Sequence, residues 1–76
     1  MASKEKELHL LGDLITLGQL IKALDLIDSG AEAKAYLAET KIWVNGEPEN
    51  RRGKKLFAGD VVDLPGPLRV TIAPRR

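Results

Sequence analysis

The chain contains no cysteine, and aromatic residues are scarce, with one tryptophan, one tyrosine and one phenylalanine among 76 residues. The lack of cysteine excludes a disulfide framework and any thiolate metal site. Long hydrophobic runs are lacking too, since short apolar pairs such as Leu10–Leu11 and Leu14–Ile15 are separated by Gly12 and Asp13. A membrane span needs roughly 20 consecutive apolar residues, so no such segment is expected.

Groups that perform catalysis or hold metals are equally scarce. His9 is the only histidine, and no cluster of carboxylates accompanies it in the sequence. A chain of this size buries only about 60% of the surface of its unfolded form, which leaves little room for a deep substrate cleft. We therefore expect a protein that is not an enzyme, with no catalytic residue, no metal, no cofactor and no small-molecule substrate.

The length of the chain allows one domain, which we place over residues 1–76. Residues 1–7 are charged and lack the apolar core of a signal peptide, so they are predicted to form a flexible tail. Together with the lack of cysteine, this start favours a cytoplasmic protein. We expect it to be a monomer.

Charge is distributed unevenly along the chain, although the net charge is only +1. Residues 1–40 carry 4 basic and 7 acidic groups, which gives 4 − 7 = −3. Residues 41–76 carry 8 basic and 4 acidic groups, which gives 8 − 4 = +4. This asymmetry suits one basic surface that binds a polyanion, and the alternative is an ordinary solvated surface.

Two short amphipathic helices are predicted in the first half. Thr16 stands three residues before Gln19, and Ser29 stands three residues before Glu32, so each pair forms a capping box. The apolar stripes that follow these caps recur at helical spacing. They comprise Leu17, Leu20, Ile21 and Leu24 in the first helix, and Ala33, Tyr36, Leu37 and Thr40 in the second. A tight corner at residues 28–30 joins the two helices.

The second helix is predicted to carry opposite charges on its two flanks. At 100° per residue Lys34 and Lys41 project from one flank, while Glu32 and Glu39 project from the other. Lys41 stands near the predicted end of the helix, where this geometry weakens.

Residues 42–49 are predicted to form a β-hairpin, because Asn45-Gly46 is the favoured pair for a type I′ turn. Pro48 restricts the second strand of this hairpin to the edge of a sheet. Period-two alternation in the first strand sends Trp43 to the face opposite its two neighbours. The indole either stacks on a base there or packs against another segment of the protein, and the sequence leaves both alternatives open.

The densest charge lies in residues 51–55, which we call the basic loop. Four of these five residues are cationic, and Gly53 stands among them. Leu56 and Phe57 are predicted to return the chain to the core. Strands over residues 61–64 and 68–72 follow, separated by a Pro-Gly-Pro turn.

This order of elements resembles the αL RNA-binding motif of the S4 family over about residues 16–64. The resemblance rests on the serine-led segment at residues 29–34, on Val44-Asn45-Gly46 and on Gly59-Asp60-Val61-Val62, which are specific in combination. The chain is most similar to small, stand-alone bacterial members. The resemblance implies an α+β fold with two short helices packed on a small, mainly antiparallel β-sheet.

The resemblance also implies that the two-helix corner and the loop after the first hairpin bind structured RNA. The shape of the RNA is expected to matter more than its base sequence. Lys34 matches a basic position of the family's second helix, whereas Thr16, Gln19 and Gly30 stand where relatives usually carry basic residues. Lys22 and the basic loop are therefore expected to carry a larger share of the electrostatic attraction. The expected RNA-binding residues are Lys22, Lys34, Lys41, Trp43, Arg51, Arg52, Lys54 and Lys55.

The function expected from these features is noncatalytic binding of structured RNA, either ribosomal RNA or an assembling ribosomal subunit, through a basic face. The alternative is a protein-interaction module that docks an acidic partner and has incidental affinity for RNA. Salt-sensitive RNA binding by the isolated chain separates the two hypotheses.

Overall fold

Two helices and seven strands make up residues 4–76, the part of the chain that this computed structural model describes. They follow in the order β1 (Lys4–His9), β2 (Ile15–Thr16), α1 (Leu17–Ala23), α2 (Gly30–Glu39), β3 (Ile42–Val44), β4 (Glu47–Glu49), β5 (Lys55–Leu56), β6 (Val61–Leu64) and β7 (Leu68–Ala73). The predicted α+β class is confirmed. Neither helix is long and apolar enough to cross a membrane.

The main sheet has five strands in the order β1-β7-β6-β3-β4, and β2 pairs with β5 in a separate two-stranded ribbon. Every pair is antiparallel except β1 with β7, which is parallel. The expected tail over residues 1–7 needs correction, because residues 4–7 belong to β1 and pair with residues 68–71. That pairing joins segments far apart in sequence, so no local pattern reveals it. Residues 1–3 lie outside the described residues.

Helix α1 begins at the predicted capping box. The Gln19 amide donates to Thr16 Oγ1 at 3.2 Å, and the Thr16 amide donates to Gln19 Oε1 at 2.9 Å. Two amides that have no partner within the helix are thereby satisfied. The stripe predicted for this helix is confirmed at three positions, which are all buried, while Leu24 is only half-buried just beyond the helix end.

The corner between the helices is wider than predicted, and its cap differs. Asp25 adopts a left-handed conformation with φ of 64°, which turns the chain soon after α1 ends. Ser29 is the extended residue before α2, but its side chain makes no capping hydrogen bond. The Glu32 amide instead donates to the Ser29 carbonyl oxygen at 3.1 Å. The Glu32 amide, which the predicted capping box paired with the Ser29 hydroxyl, therefore bonds to the Ser29 backbone instead.

The predicted hairpin is confirmed. Asn45 and Gly46 have φ of 52° and 83°, the pair of positive angles that a type I′ turn requires. Strand β4 lies at the edge of the sheet, where Pro48 needs no ladder partner on its outer side.

The core lies between the helices and one face of the main sheet. The apolar pattern predicts ten core residues, and all of them are buried except Leu24, which packs against the core from a half-buried position. The ten are Leu17, Leu20, Ile21, Leu24, Leu37, Ile42, Val44, Val62, Val70 and Ile72. Five further residues complete the buried cluster, namely Leu10, Ile27, Ala33, Leu56 and Leu64. Burial of this one cluster leaves the cationic side chains of the helices and the loop at the surface.

Candidate functional site

The basic loop is docked on the first turn of α1 through its backbone. The Leu17 amide donates to the Lys54 carbonyl oxygen at 2.9 Å, and the Gly18 amide donates to the Arg52 carbonyl oxygen at 2.8 Å. Amides at the start of a helix have no intrahelical acceptor, so the loop carbonyls satisfy them. The loop is thus held against the helix by its main chain, which leaves its side chains available to a ligand.

Gly18 permits this close approach. A Cβ atom at position 18 would lie 3.2 Å from the Arg52 carbonyl oxygen and 3.3 Å from the Arg52 Cβ atom. It would also contact the Ala33 methyl group of α2 at 3.7 Å. The glycine therefore marks the point where the loop and both helices converge.

A shallow concave surface, the corner groove, forms at this convergence. Its lining residues are Thr16, Gly18, Gln19, Lys22, Gly30, Ala33, Arg52 and Gly53. Lys22 and Arg52 supply two positive charges from different segments, and none of the lining residues is acidic. Lys34 is exposed one helical turn after Gly30, so it lies on the same side of α2. The fold therefore brings Lys22 and Arg52 into one groove, and Lys34 is exposed on the side of α2 that carries Gly30.

Arg51 differs from the other cations of the loop. Its Nε donates to Glu49 Oε2 at 3.0 Å and its Nη2 donates to Glu49 Oε1 at 3.1 Å. The Arg51 side-chain hydrogen bond lowers the pKa of Glu49 to about 2 and in turn raises the pKa of Arg51. Within residues 4–76 the structure assigns no ion pair to Arg52, Lys54 or Lys55. Those three side chains are therefore not neutralised by an ion pair within the described residues.

Lys41 and Trp43 lie apart from the corner groove. Lys41 follows the end of α2, and both residues line a different groove on the outer side of the main sheet. The indole is 37% exposed and has Pro48 and Asp63 as its neighbours on the adjacent strands. This exposure keeps the indole out of the buried core, but it does not separate packing against a neighbouring segment from stacking on a base.

Phe57 departs from its predicted position. Leu56 is fully buried, as expected, but Phe57 is 48% exposed. It borders a concavity together with Arg51, Gly53, Lys54 and Lys55. Phe57 is the first residue after β5, so strand alternation does not assign its side chain to either face.

The asparagine and aspartate of the S4-like pattern join two turns. Asn45 Nδ2 donates to Asp60 Oδ1 at 3.1 Å, and Asn45 Oδ1 accepts from the Val61 amide at 2.9 Å. The second Asp60 oxygen accepts from the Phe57 amide at 2.7 Å. These residues therefore position the chain just after the basic loop, and their polar atoms are occupied by the protein itself.

The described residues contain no group of three or more histidine, cysteine or carboxylate side chains placed to hold a metal ion. His9 contacts Glu7 through Nε2 at 3.0 Å and the Pro74 carbonyl oxygen through Nδ1 at 3.1 Å. Both ring nitrogens thus have partners within the protein, at the parallel edge of the sheet.

Comparisons with known proteins cover these same elements. The family model described as "S4 domain" matches residues 8–72. The probable ribosome maturation protein RlbA of Bacillus subtilis (strain 168) is 54% identical over 54 residues, which are 71% of this chain and 76% of that protein. The family match includes both helices, the corner groove and the basic loop.

Proposed function

Because this chain belongs to the S4 domain family, we propose that it is a noncatalytic protein that binds structured RNA. The ligand is ribosomal RNA or an assembling ribosomal subunit. Contact is made through a basic face that consists of Lys22, Lys34, Arg51, Arg52, Lys54 and Lys55. The protein acts in the cytoplasm as a monomer and needs no cofactor.

The observation that carries this proposal is the docking of the basic loop on α1. It joins Lys22 of α1 and Arg52 of a distant loop around a groove that has no acidic lining residue. Lys34 of α2 is exposed one helical turn after Gly30, which lines the groove. A surface of this kind suits the phosphates of a folded RNA, whose shape and backbone are recognised before its base sequence. Arginine can bridge phosphate oxygens or stack on a base, whereas lysine supplies a mobile point charge.

The ribosomal assignment has separate support. The relative from Bacillus subtilis is named as a probable ribosome maturation protein, and the identity of 54% spans most of both chains. A small domain that binds ribosomal RNA by shape and charge, without chemistry of its own, is consistent with a role in subunit maturation.

Salt dependence of RNA binding tests the proposal. Purified bacterial ribosomal RNA is titrated with the parent chain and with the triple variant Arg52→Ala, Lys54→Ala, Lys55→Ala. Each lost phosphate contact lowers the slope of log affinity against log salt by about 0.7 for single strands, so three contacts predict a decrease near 2. The fold should persist, because exposed charges contribute at most about 1 kcal/mol each.

The matched control removes three exposed charges elsewhere, through Lys6→Ala, Arg75→Ala and Arg76→Ala. Its salt slope should stay close to that of the parent. Equal slopes for the parent and both variants would remove the basic loop from the interface. A parent chain without salt-sensitive affinity for RNA would contradict the proposal and favour docking of an acidic protein partner.

A further inference from the structure

Phe57 is a large apolar side chain that the fold exposes although the core lies beside it. The preceding residue, Leu56, is fully buried and pairs with Ile15 in the β2–β5 ribbon. Phe57 is the first residue after β5 and lies outside this pairing. The phenyl ring is 48% exposed.

The backbone beneath the ring is held on both sides. The Phe57 amide donates to Asp60 Oδ2 at 2.7 Å, and the Phe57 carbonyl oxygen accepts from the Asp60 amide at 3.0 Å. Gly59, with φ of 96°, completes this tight turn. The Asp60 carboxylate is tied in addition to Asn45, so the base of the ring is anchored to the hairpin turn. The backbone that carries the ring is therefore fixed by the protein itself and need not be ordered on binding.

The concavity beside the ring is lined by cationic residues. Phe57 shares one concavity with Arg51, Lys54 and Lys55, and none of its lining residues is acidic. The groove that contains Trp43 is different, because its cations Lys41 and Arg69 are balanced by Glu39 and Asp63. Arg69 Nε in fact donates to Asp63 Oδ1 at 2.8 Å. Of the two exposed aromatic residues, Phe57 therefore has the surroundings that suit a polyanion.

We propose that Phe57 is a stacking platform for an unpaired RNA base at the edge of the basic face, with Lys54 and Lys55 neutralising the phosphates on either side of that nucleotide. An aromatic ring between cations is the arrangement with which proteins bind single-stranded nucleic acid, because every base has a π face and every nucleotide has a phosphate. The inference rests on the proposed RNA-binding function and deepens it. It names the kind of RNA element bound, a loop, bulge or end whose base is free to leave its own stack.

The test compares two synthetic RNAs, a hairpin with an unpaired adenosine loop and the blunt duplex of the same stem. Phe57→Ala is expected to weaken binding of the hairpin about tenfold, since stacking of one base contributes on that order. Its affinity for the duplex and its salt slope should stay at the parental values, because no charge is removed. Phe57→Tyr should restore binding of the hairpin, as its ring keeps the π face.

Leu11→Ala is the matched control, because Leu11 is 95% exposed and lies far from the loop in sequence. It should bind both RNAs as the parent does. If Phe57→Ala binds the hairpin with parental affinity while the triple loop variant has lost affinity, stacking is overturned and the proposed function stands. If the parent binds ribosomal RNA but neither synthetic RNA, the stacking inference is overturned and the proposed function stands; if it binds none of the three, both fail.

A fluorescence measurement distinguishes direct stacking at position 57 from an indirect effect of the substitution on folding. In the double variant Trp43→Phe, Phe57→Trp, the tryptophan at position 57 is the sole indole of the chain. Addition of the hairpin should quench its fluorescence, and addition of the duplex should leave it nearly unchanged. Unchanged fluorescence at saturating hairpin would show that no base lies on this position and would overturn the inference.

Discussion

Glu49 and Arg51 form an ion pair in which the carboxylate is more buried than the guanidinium. The Glu49 side chain is 10% exposed, whereas that of Arg51 is 72% exposed. Glu49 also accepts the backbone amides of Asn50 and Arg51, at 3.2 and 3.1 Å. One carboxylate therefore organises the start of the basic loop, and Arg51 acts on the loop's shape as well as on its charge.

This pair predicts a specific sensitivity to acid. The pKa of Glu49 falls from its ordinary value of 4.5 to about 2 in the folded chain, chiefly through the Arg51 side-chain hydrogen bond. A depressed carboxyl pKa stabilises the fold above the unfolded value, and that stabilisation is lost as pH falls from 4.5 toward 2. Glu49→Gln should therefore unfold at lower denaturant concentration at neutral pH and show a flatter decline of stability in this acid range.

Urea unfolding at a series of pH values measures the effect, with Glu47→Gln as the control on the same strand. Glu47 is exposed and directly opposite Val44, so its replacement should preserve the parental pH profile. A parental profile in Glu49→Gln as well would show that other carboxyl groups determine the acid response.

At the scale of elements, the contact between the basic loop and α1 depends on a glycine inside a helix. Gly18 is the second residue of α1, and glycine has a lower helix propensity than alanine, so it is unfavourable locally. Its position is explained by the loop, because the Arg52 carbonyl oxygen needs the space that a Cβ atom would fill. A residue of low helix propensity therefore stands where the loop must approach the helix backbone.

Gly18→Ala should consequently displace the loop by a few tenths of an ångström and weaken the hydrogen bond from the amide at position 18 to Arg52. Amide hydrogen exchange at position 18 is expected to become faster. The gain in helix propensity opposes this loss, so the free energy of unfolding should change by less than about 1 kcal/mol.

Gly30→Ala is the matched control, since Gly30 also lies in a helix but a Cβ atom there would meet nothing within 4 Å. It should raise stability and leave exchange at position 18 unaltered. If Gly18→Ala behaved in the same way as Gly30→Ala, the close packing of the loop on α1 would be refuted.

Over the whole molecule, the cations proposed to bind a polyanion and the charged residues at the edges of the main sheet lie on different parts of the fold. Both edges of the main sheet are blunted by charge, through alternating lysine and glutamate in β1 and through Glu47-Pro48-Glu49 in β4. Such edges resist pairing with another chain, which supports the proposed monomer. The cations of the basic face lie instead on the helices and the loop.

This division predicts different effects for two lysines that the helical wheel placed on one flank. Lys34→Glu should weaken binding to ribosomal RNA about tenfold, because a charge beside the corner groove changes from attractive to repulsive. Lys41→Glu makes the same change beside the Trp43 groove and should have little effect. Both side chains are exposed, so both variants should keep the parental melting temperature.

Electrophoretic mobility shift and thermal unfolding measure the two quantities. Equal loss of affinity in both variants would extend the interface across the outer side of the sheet. Parental affinity in Lys34→Glu, together with a parental melting temperature, would remove the second helix from the interface.

The sequence by itself determined the features that depend on neighbours within about four residues. The Thr16 capping box, the Asn45-Gly46 turn and the apolar stripe of α1 were all predictable, because side-chain and backbone geometry at short range decides them. The edge position of β4 followed from Pro48 for the same reason. Family resemblance added the order of the elements and the expectation of a basic face.

Tertiary structure alone decided the features that depend on segments distant in sequence. Residues 4–7 became a strand only because β7 lies beside them. Phe57 is exposed, whereas Leu56 beside it is buried in the β2–β5 ribbon. Local preferences leave several conformations nearly equal in free energy, and long-range contacts determine which one forms. The residues of the basic face could therefore be identified only from the folded structure.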